Sequence, residues 1–204
     1  MNENFSKVTK ALDKLDEDRE QILKISRETI RECSIAIKSI HRRELSEYQK
    51  RIDIIEDNLK NLRELVNKNP GYFYKYLKTP EQEYAEAIIL HSITTDQKIP
   101  THLSLNIDPL HYVLGFGDVV GELRRFILDM IRESNIEGIN KILEKMDEIY
   151  SHLFSLDYPS GLTKDLRHKI DVARKLLEKT RGDISLSVQM NTLSKLLKEK
   201  NKKA

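Results

Sequence analysis

Residues 45–68 read LSEYQKRIDIIEDNLKNLRELVNK, and the apolar positions Leu45, Tyr48, Ile52, Ile55, Leu59, Leu62 and Val66 fall at alternating steps of three and four. That is the period of an α-helix carrying one narrow apolar seam, the pattern of a helix laid against an antiparallel or coiled-coil-like partner. The partner is predicted immediately upstream. From Phe5 to about His41, Phe5, Val8, Leu12, Leu15, Ile22, Ile25, Ile37 and Ile40 recur at helical intervals with no Gly or Pro between them. This segment reads as one long helix, or two in line, and His41 to Glu44 as the turn between the pair.

Downstream, Asn69, Pro70 and Gly71 stop the second helix. GYFYKYL (71–77) then concentrates aromatic residues before Thr79 and Pro80 start another helix. TTDQKIPTHLSLN (94–106) reads as a loop, and Asp108 followed by Pro109 as the cap and first turn of a helix reaching about Ser134. Asn135 is expected to cap a helix that turns Ile136, Ile139, Leu143, Met146, Tyr150 and Leu153 inward. DYPSG breaks it, Thr163 opens a helix to Arg181 and Gly182, and a short C-terminal helix with a lysine-rich tail (KLLKEKNKKA) finishes the chain.

A chain of 204 residues with 33% charged and 6% aromatic residues, 7 Gly, 5 Pro and no Trp suits packed, solvated helices rather than sheets. The expected fold class is all-α, and with no Gly-, Ser- or Pro-rich linker, residues 1–204 read as a single domain. One cysteine, Cys33, cannot form an internal disulfide, and MNENFSKVTK lacks the apolar core of a signal peptide, so the expectation is a soluble protein of a reducing cytoplasm. No uncharged apolar run approaches the ~18 residues needed to cross a bilayer. A formal net charge of +2 says nothing for nucleic acid by itself; arrangement has to carry that argument.

Two acidic pairs stand among apolar residues: Glu83 and Glu86 in EYAEAIIL (83–90), and Asp118 and Glu122 in YVLGFGDVVGELRRF (112–126). Spacings of three and four place each pair on one helix face. A buried carboxylate without a partner costs several kcal/mol or takes up a proton, so something charged should meet these acids. Converging carboxylates are oxygen ligands suited to Mg²⁺ or Mn²⁺, which can activate water for phosphodiester cleavage. The competing reading is structural: the same acids pair with Arg124, Arg125 or lysines. Gly115, Gly117 and Gly121 in the second helix would let another backbone or a ligand come close. Glu-x-x-His, the signature of carboxylate-bridged di-iron bundles, does not occur, nor do phosphate-binding glycine loops, Gly-x-Ser-x-Gly elbows or paired cysteines. His91 and His111 lie near the acids in sequence, as ligands and proton carriers or as packed histidines.

On the first helix Lys24, Arg27, Arg31, Lys38 and Arg42 fall within a ~60° sector opposite Ile22, Ile25, Cys33, Ala36 and Ile40, and Arg43 extends it. This cationic face suits phosphates, and it also suits plain solvent, since Glu17 and Glu20 continue the same sector. Tyr72, Phe73, Tyr74 and Tyr76, beside Lys75 and Lys78, could stack bases or pack.

LDEDREQILKISRETIRECSIAIKSIHR, the passage from YFYKYL to EYAEA, DPLHYVLGFGDVVGELRR and the late KTRGDI, in that order, resemble the translin and TRAX family along nearly the whole chain. The resemblance implies a seven-helix α domain, a translin-like α-α superhelix with long N-terminal helices. It also implies a closed, hollow homo-oligomer, an octamer, with acids facing the interior. TRAX-type subunits carry the carboxylates of a metal-dependent endoribonuclease, whereas translin-type subunits bind RNA or single-stranded DNA without them. This chain is similar to the TRAX type. The family's catalytic acids carry over onto Glu83, Glu86 and Asp118, with Glu122 a further acidic position and Mg²⁺ or Mn²⁺ as the implied cofactor. RNA-binding residues carry over onto Lys24, Arg27, Arg31, Lys38, Arg42 and Arg43. His111 departs from the TRAX-type pattern, which has an acid before Tyr-Leu-Leu-Gly. The expectation is therefore an endoribonuclease. A non-catalytic single-stranded RNA- or DNA-binding protein of translin type and a structural helical adaptor remain as alternatives.

Overall fold

The computed structural model describes residues 2–133, 138–163 and 165–203. Asn135 and Ile136, expected at the start of a helix, lie outside the described residues. Among the described residues there are six long helices and a single-turn one: α1 (Asn2–His41), α2 (Leu45–Lys68), the short α3 (Pro70–Phe73), α4 (Lys78–Thr94), α5 (Pro109–Arg132), α6 (Ile139–Phe154) and α7 (Leu166–Lys203). The all-α class holds, and no strand occurs among the described residues. The chain divides into two compact units, Met1–Gly115 and Phe116–Ala204, with α5 contributing its first turns to the first and the rest to the second.

In the first unit α1 packs against α2 and α4. The seam of α2 is buried from Tyr48 to Val66, whereas Leu45, at the very start of the helix, stays exposed. α1 ends on Arg43, held at φ 60°, with Glu44 N–H donating to Ser39 O (2.9 Å) and Arg43 N–H to Ile40 O (3.0 Å). This paired-bond ending turns the chain back so that α2 can lie along α1. α4 repeats the device at Asp96 (φ 58°), where Gln97 N–H reaches Ser92 O at 2.8 Å. Buried residues occur around most of the circumference of α4, which places it at the centre of the unit's core. α5 starts as its sequence predicts: Asp108 Oδ1 accepts the N–H of Leu110 (2.8 Å) and of His111 (3.4 Å), with Pro109 in the first turn.

Two expectations are corrected. Phe5, Val8 and Leu12 share the helical period of α1 but are exposed, and only Leu15 of that N-terminal set is half-buried. Periodicity predicted their face and could not supply a partner for it. In the second unit, Gly182 does not end a helix: α7 runs unbroken from Leu166 to Lys203, because one Gly costs only about 1 kcal/mol of propensity relative to Ala and no Pro follows it. Within that unit α6 packs on α7, and Val119, Leu123, Ile127, Met146, Ile149, Leu153, Ala173 and Leu177 are buried. No helix among the described residues is long and apolar enough to cross a membrane.

Candidate functional site

α4 carries three acids within six residues, and they meet different partners. Glu81 is almost wholly buried; its carboxylate accepts from Arg63 Nε (2.9 Å) on α2 and from the backbone N–H of Asp108 (3.1 Å), and it lies 2.9 Å from His111 Nδ1. Asp108 in turn accepts a 2.5 Å hydrogen bond from the Tyr74 hydroxyl. Burial pushes the Asp108 carboxyl up, but the Tyr74 hydroxyl and the Leu110 and His111 N–H groups outweigh it and hold the group below its ordinary range. The same bond pushes the Tyr74 hydroxyl up to about 12. One buried acid thus ties α2, α4 and the first turn of α5 together. Sequence reading missed Glu81 because its partners lie 18, 27 and 30 residues away, where no local spacing could show them.

Glu86 is buried and Glu83 half-buried on the next turn. Both act on Cys33 of α1: burial first, and then these two carboxylates, push its thiol well up. The predicted acid pair therefore lies near the α1–α4 contact. α5 comes close to α4 there, because a Cβ on Gly115 would stand 2.7 Å from Ala85 Cβ and 2.9 Å from Gln82 O. Only a bare Cα fits against that backbone.

In the second unit Asp118 is ion-paired with Lys169 of α7. Gly117 permits it: a Cβ there would sit 2.8 Å from Lys169 Cβ, so the absent side chain lets the lysine stem pass. Glu122 pairs with Arg125 at 3.4 Å, as the structural reading of these acids expected. Arg124 does not pair with them; its Nη1 donates to Thr180 Oγ1 (2.9 Å) and its Nη2 to Asp183 (2.7 Å). The GELRR and KTRGDI segments are joined by that contact.

Both histidines are packed. His91 stacks on Tyr48 with ring centroids 4.0 Å apart at 8°, and burial lowers its pKa. His111 is held by Glu81 and tilts against the Tyr74 ring.

The basic stripe is exposed at Lys24, Arg27, Arg31, Lys38, Arg42 and Arg43, while Ile22, Cys33, Ala36 and Ile40 opposite are buried. Arg31 reaches Glu32 at 3.2 Å. That buried acid is held chiefly by Arg51, at 2.8 Å. Arg43 stands on the left-handed turn rather than on the helix. In the aromatic segment Phe73 is buried, Tyr76 accepts from Arg19 Nε (3.2 Å), and Tyr72 and Tyr74 are exposed.

Carboxylate oxygens fit a hard divalent cation in kind. In number, no group of three or more His, Cys, Asp or Glu side chains among the described residues gathers closely enough to hold a metal ion. The expected set Glu83, Glu86, Asp118 and Glu122 is therefore described as the buried and half-buried pair on α4 and two ion-paired acids on α5.

A sequence model of the Translin family matches residues 17–181. The chain belongs to the Translin family. Among relatives, it is 37% identical over 185 residues to an uncharacterised protein of Methanocaldococcus jannaschii, covering 90% of this chain and 82% of that protein. It is 23% identical over 200 residues to a Translin-associated protein X homolog of Schizosaccharomyces pombe, covering 89% and 86%. Among solved structures, AfC3PO in a duplex RNA complex matches with a TM-score of 0.81 and 27% identity, covering 92% of this chain and 97% of that one. Apo-NeC3PO matches with a TM-score of 0.82 and 25% identity, covering 90% and 97%. The Translin-family fold thus spans both units, and the KTRGDI segment that meets Arg124 contains the end of the family match at Arg181.

Proposed function

We propose that this chain binds RNA and cleaves it as a TRAX-type, Mg²⁺- or Mn²⁺-dependent endoribonuclease within a closed, hollow homo-oligomer in the cytoplasm. The observation that carries the reading is the fold shared with AfC3PO, a protein solved in complex with duplex RNA, in a chain that also carries an acid pair inside the α4 core. Similarity to a Translin-associated protein X homolog supports the TRAX type. Lys24, Arg27, Arg31, Lys38, Arg42 and Arg43 grip phosphates from the exposed face of α1 and the turn after it. Glu83, Glu86 and Asp118 are the ligand acids, with Glu122 as a fourth. These carboxylates would hold a divalent cation, which would supply Lewis-acid chemistry for water activation and for charge on the phosphate. Lys169 must release Asp118 for that carboxylate to serve, so Lys169 neutralises the acid in the resting chain.

The test is cleavage of labelled single-stranded RNA with and without Mg²⁺ or Mn²⁺, comparing wild type with Glu83→Gln and Asp118→Asn. Loss of cleavage in both variants and in EDTA is expected; cleavage that persists in them rejects the assigned acids. RNA retention at moderate salt should fall in Arg27→Glu/Arg31→Glu, since each lost phosphate contact lowers both affinity and its salt dependence.

The second reading, a non-catalytic protein of translin type that binds single-stranded RNA or DNA, is favoured by one observation: Asp118 and Glu122 are already paired with Lys169 and Arg125. It predicts retention without cleavage in any divalent cation.

A further inference from the structure

Asp118 takes a counter-charge from a lysine at the start of another helix. Lys169 closes the first turn of α7, residues 166–169, which carries Arg167, His168 and Lys169 and no acid. The start of a helix favours negative charge, so this turn is built against its own backbone field. The stem of Lys169 lies along Gly117 of α5: a Cβ there would stand 2.8, 3.3 and 3.4 Å from Lys169 Cβ, Cγ and Cδ. The bare glycine weakens α5 in propensity and gives the lysine its path to Asp118.

The side chains of Lys169 and Asp118 are 24 and 23% exposed. With most of each out of water, neither charge loses its opposite without a large desolvation cost. Glu122 differs: its Arg125 stands three residues on along the same helix, is 52% exposed and can swing into water. Lys169 thus supplies at Asp118 the positive charge that a divalent cation would supply. When Asp118 serves as a ligand, the ammonium is left largely buried beside a like charge, and an anion is what restores the balance. In the proposed reaction that anion is an RNA phosphate, whose non-bridging oxygens accept from an ammonium.

We propose that Lys169 is a phosphate-binding residue held in reserve by Asp118: it neutralises the acid while no divalent cation is bound, and turns to a phosphate oxygen of RNA when the acid is taken. The inference rests on the nuclease reading above and adds a coupling to it. Release of Lys169 favours RNA, and a phosphate that holds Lys169 away frees Asp118, so cation and RNA each strengthen the binding of the other.

The experiment uses the full chain as wild type, Lys169→Met and Lys169→Arg, and reads binding rather than cleavage. Mn²⁺ affinity without RNA is followed by the paramagnetic resonance signal of the free ion. Retention of a phosphorothioate RNA, which resists hydrolysis, is followed on filters in Mn²⁺ and in EDTA, and helicity by circular dichroism. Lys169→Met should bind Mn²⁺ about fivefold or more tightly than wild type, because the competing ammonium is gone. Wild type should hold the RNA about fivefold or more tightly in Mn²⁺ than in EDTA, and Lys169→Met should lose that gain. Lys169→Arg, which keeps a cation on a similar stem, should follow wild type in both. A purely structural lysine would weaken both affinities together, the opposite of the expected split. Lys169→Gln is read in the same way if the methionine variant loses helicity. Mn²⁺ affinity that is unchanged or weaker in Lys169→Met, or an RNA gain that survives in it, overturns the inference and leaves the nuclease reading standing. Wild type and Lys169→Met that both fail to bind Mn²⁺ overturn the nuclease reading, and the inference with it.

Discussion

Replacing Glu81 by alanine removes one carboxylate and strands three groups that now depend on it. The side chains of Glu81 and His111 are 4 and 7% exposed and that of Arg63 20%, so water cannot take over the lost bonds. Arg63 Nη2 already lacks a hydrogen-bond partner in its buried position, and the substitution would leave Nε unpaired as well. Breaking a buried ion pair from one side costs about 3–5 kcal/mol, because the remaining charge stays desolvated. For a protein of this size that corresponds to a fall in Tm of roughly 6–20 °C. Removing both charges with Arg63→Met/Glu81→Met takes away the desolvation cost together with the attraction, so the double variant should recover a large part of the loss. Urea unfolding followed by circular dichroism on the wild type, Arg63→Met, Glu81→Met and the double variant gives the coupling directly. A Glu81→Ala variant within about 1 kcal/mol of wild type, or a double variant whose loss equals the sum of the singles, refutes the assignment of Glu81 as the tie between α2, α4 and α5.

Three further outcomes are expected. Gly115→Ala should destabilise by about 1–3 kcal/mol in the same urea assay, since its Cβ meets Ala85 Cβ at 2.7 Å and backbone at 2.9 Å, which cannot give way cheaply. The pKa of His91 is lowered by burial, so the folded state favours the neutral ring; stability from this group is intact above the ordinary histidine range and is lost as pH falls through that range toward the folded value, where the unfolded chain takes the proton first. His91→Phe, which keeps a ring against Tyr48, should flatten that part of the stability profile between about pH 7 and 5. Arg124→Met should cost about 1.5–3 kcal/mol through its charged hydrogen bonds to Thr180 and Asp183, with Asp183→Asn recovering little of it.

Much of the fold was legible because it is written in local period. The α2 seam from Tyr48 to Val66, the Asp108–Pro109 start of α5 and the cationic face of α1 all rest on residues spaced no more than two helical turns apart along one helix, and the structure places them as expected. Long-range choices were not legible. Glu81, Glu83 and Glu86 are the same residue type on one helix, yet only Glu81 meets Arg63 and His111, and nothing within α4 marks it out. The acids of α5 divide in the same way: the partner of Glu122 lies three residues on and could be foreseen, while that of Asp118 lies 51 residues on. Phe5, Val8 and Leu12 show the reverse case, a helical period correctly recognised on a face that stays exposed in the chain. The resemblance to the Translin family came from segment order, which samples the whole chain and is therefore less exposed to such local ambiguity, and the family model matching residues 17–181 bears it out.

Cys33 gives the protein an internal reporter. It is the one cysteine among 204 residues, fully buried on α1 and driven far toward the thiol form by burial and by Glu83 and Glu86. A thiol reagent reacts with thiolate, so the native chain should be nearly silent to alkylation and label once, at one position, only when the α1–α4 contact opens. The labelling rate then reads how often the acid pair is uncovered, with no probe introduced. Any cation or RNA that tightens this region should slow the reaction, and one that loosens it should speed it.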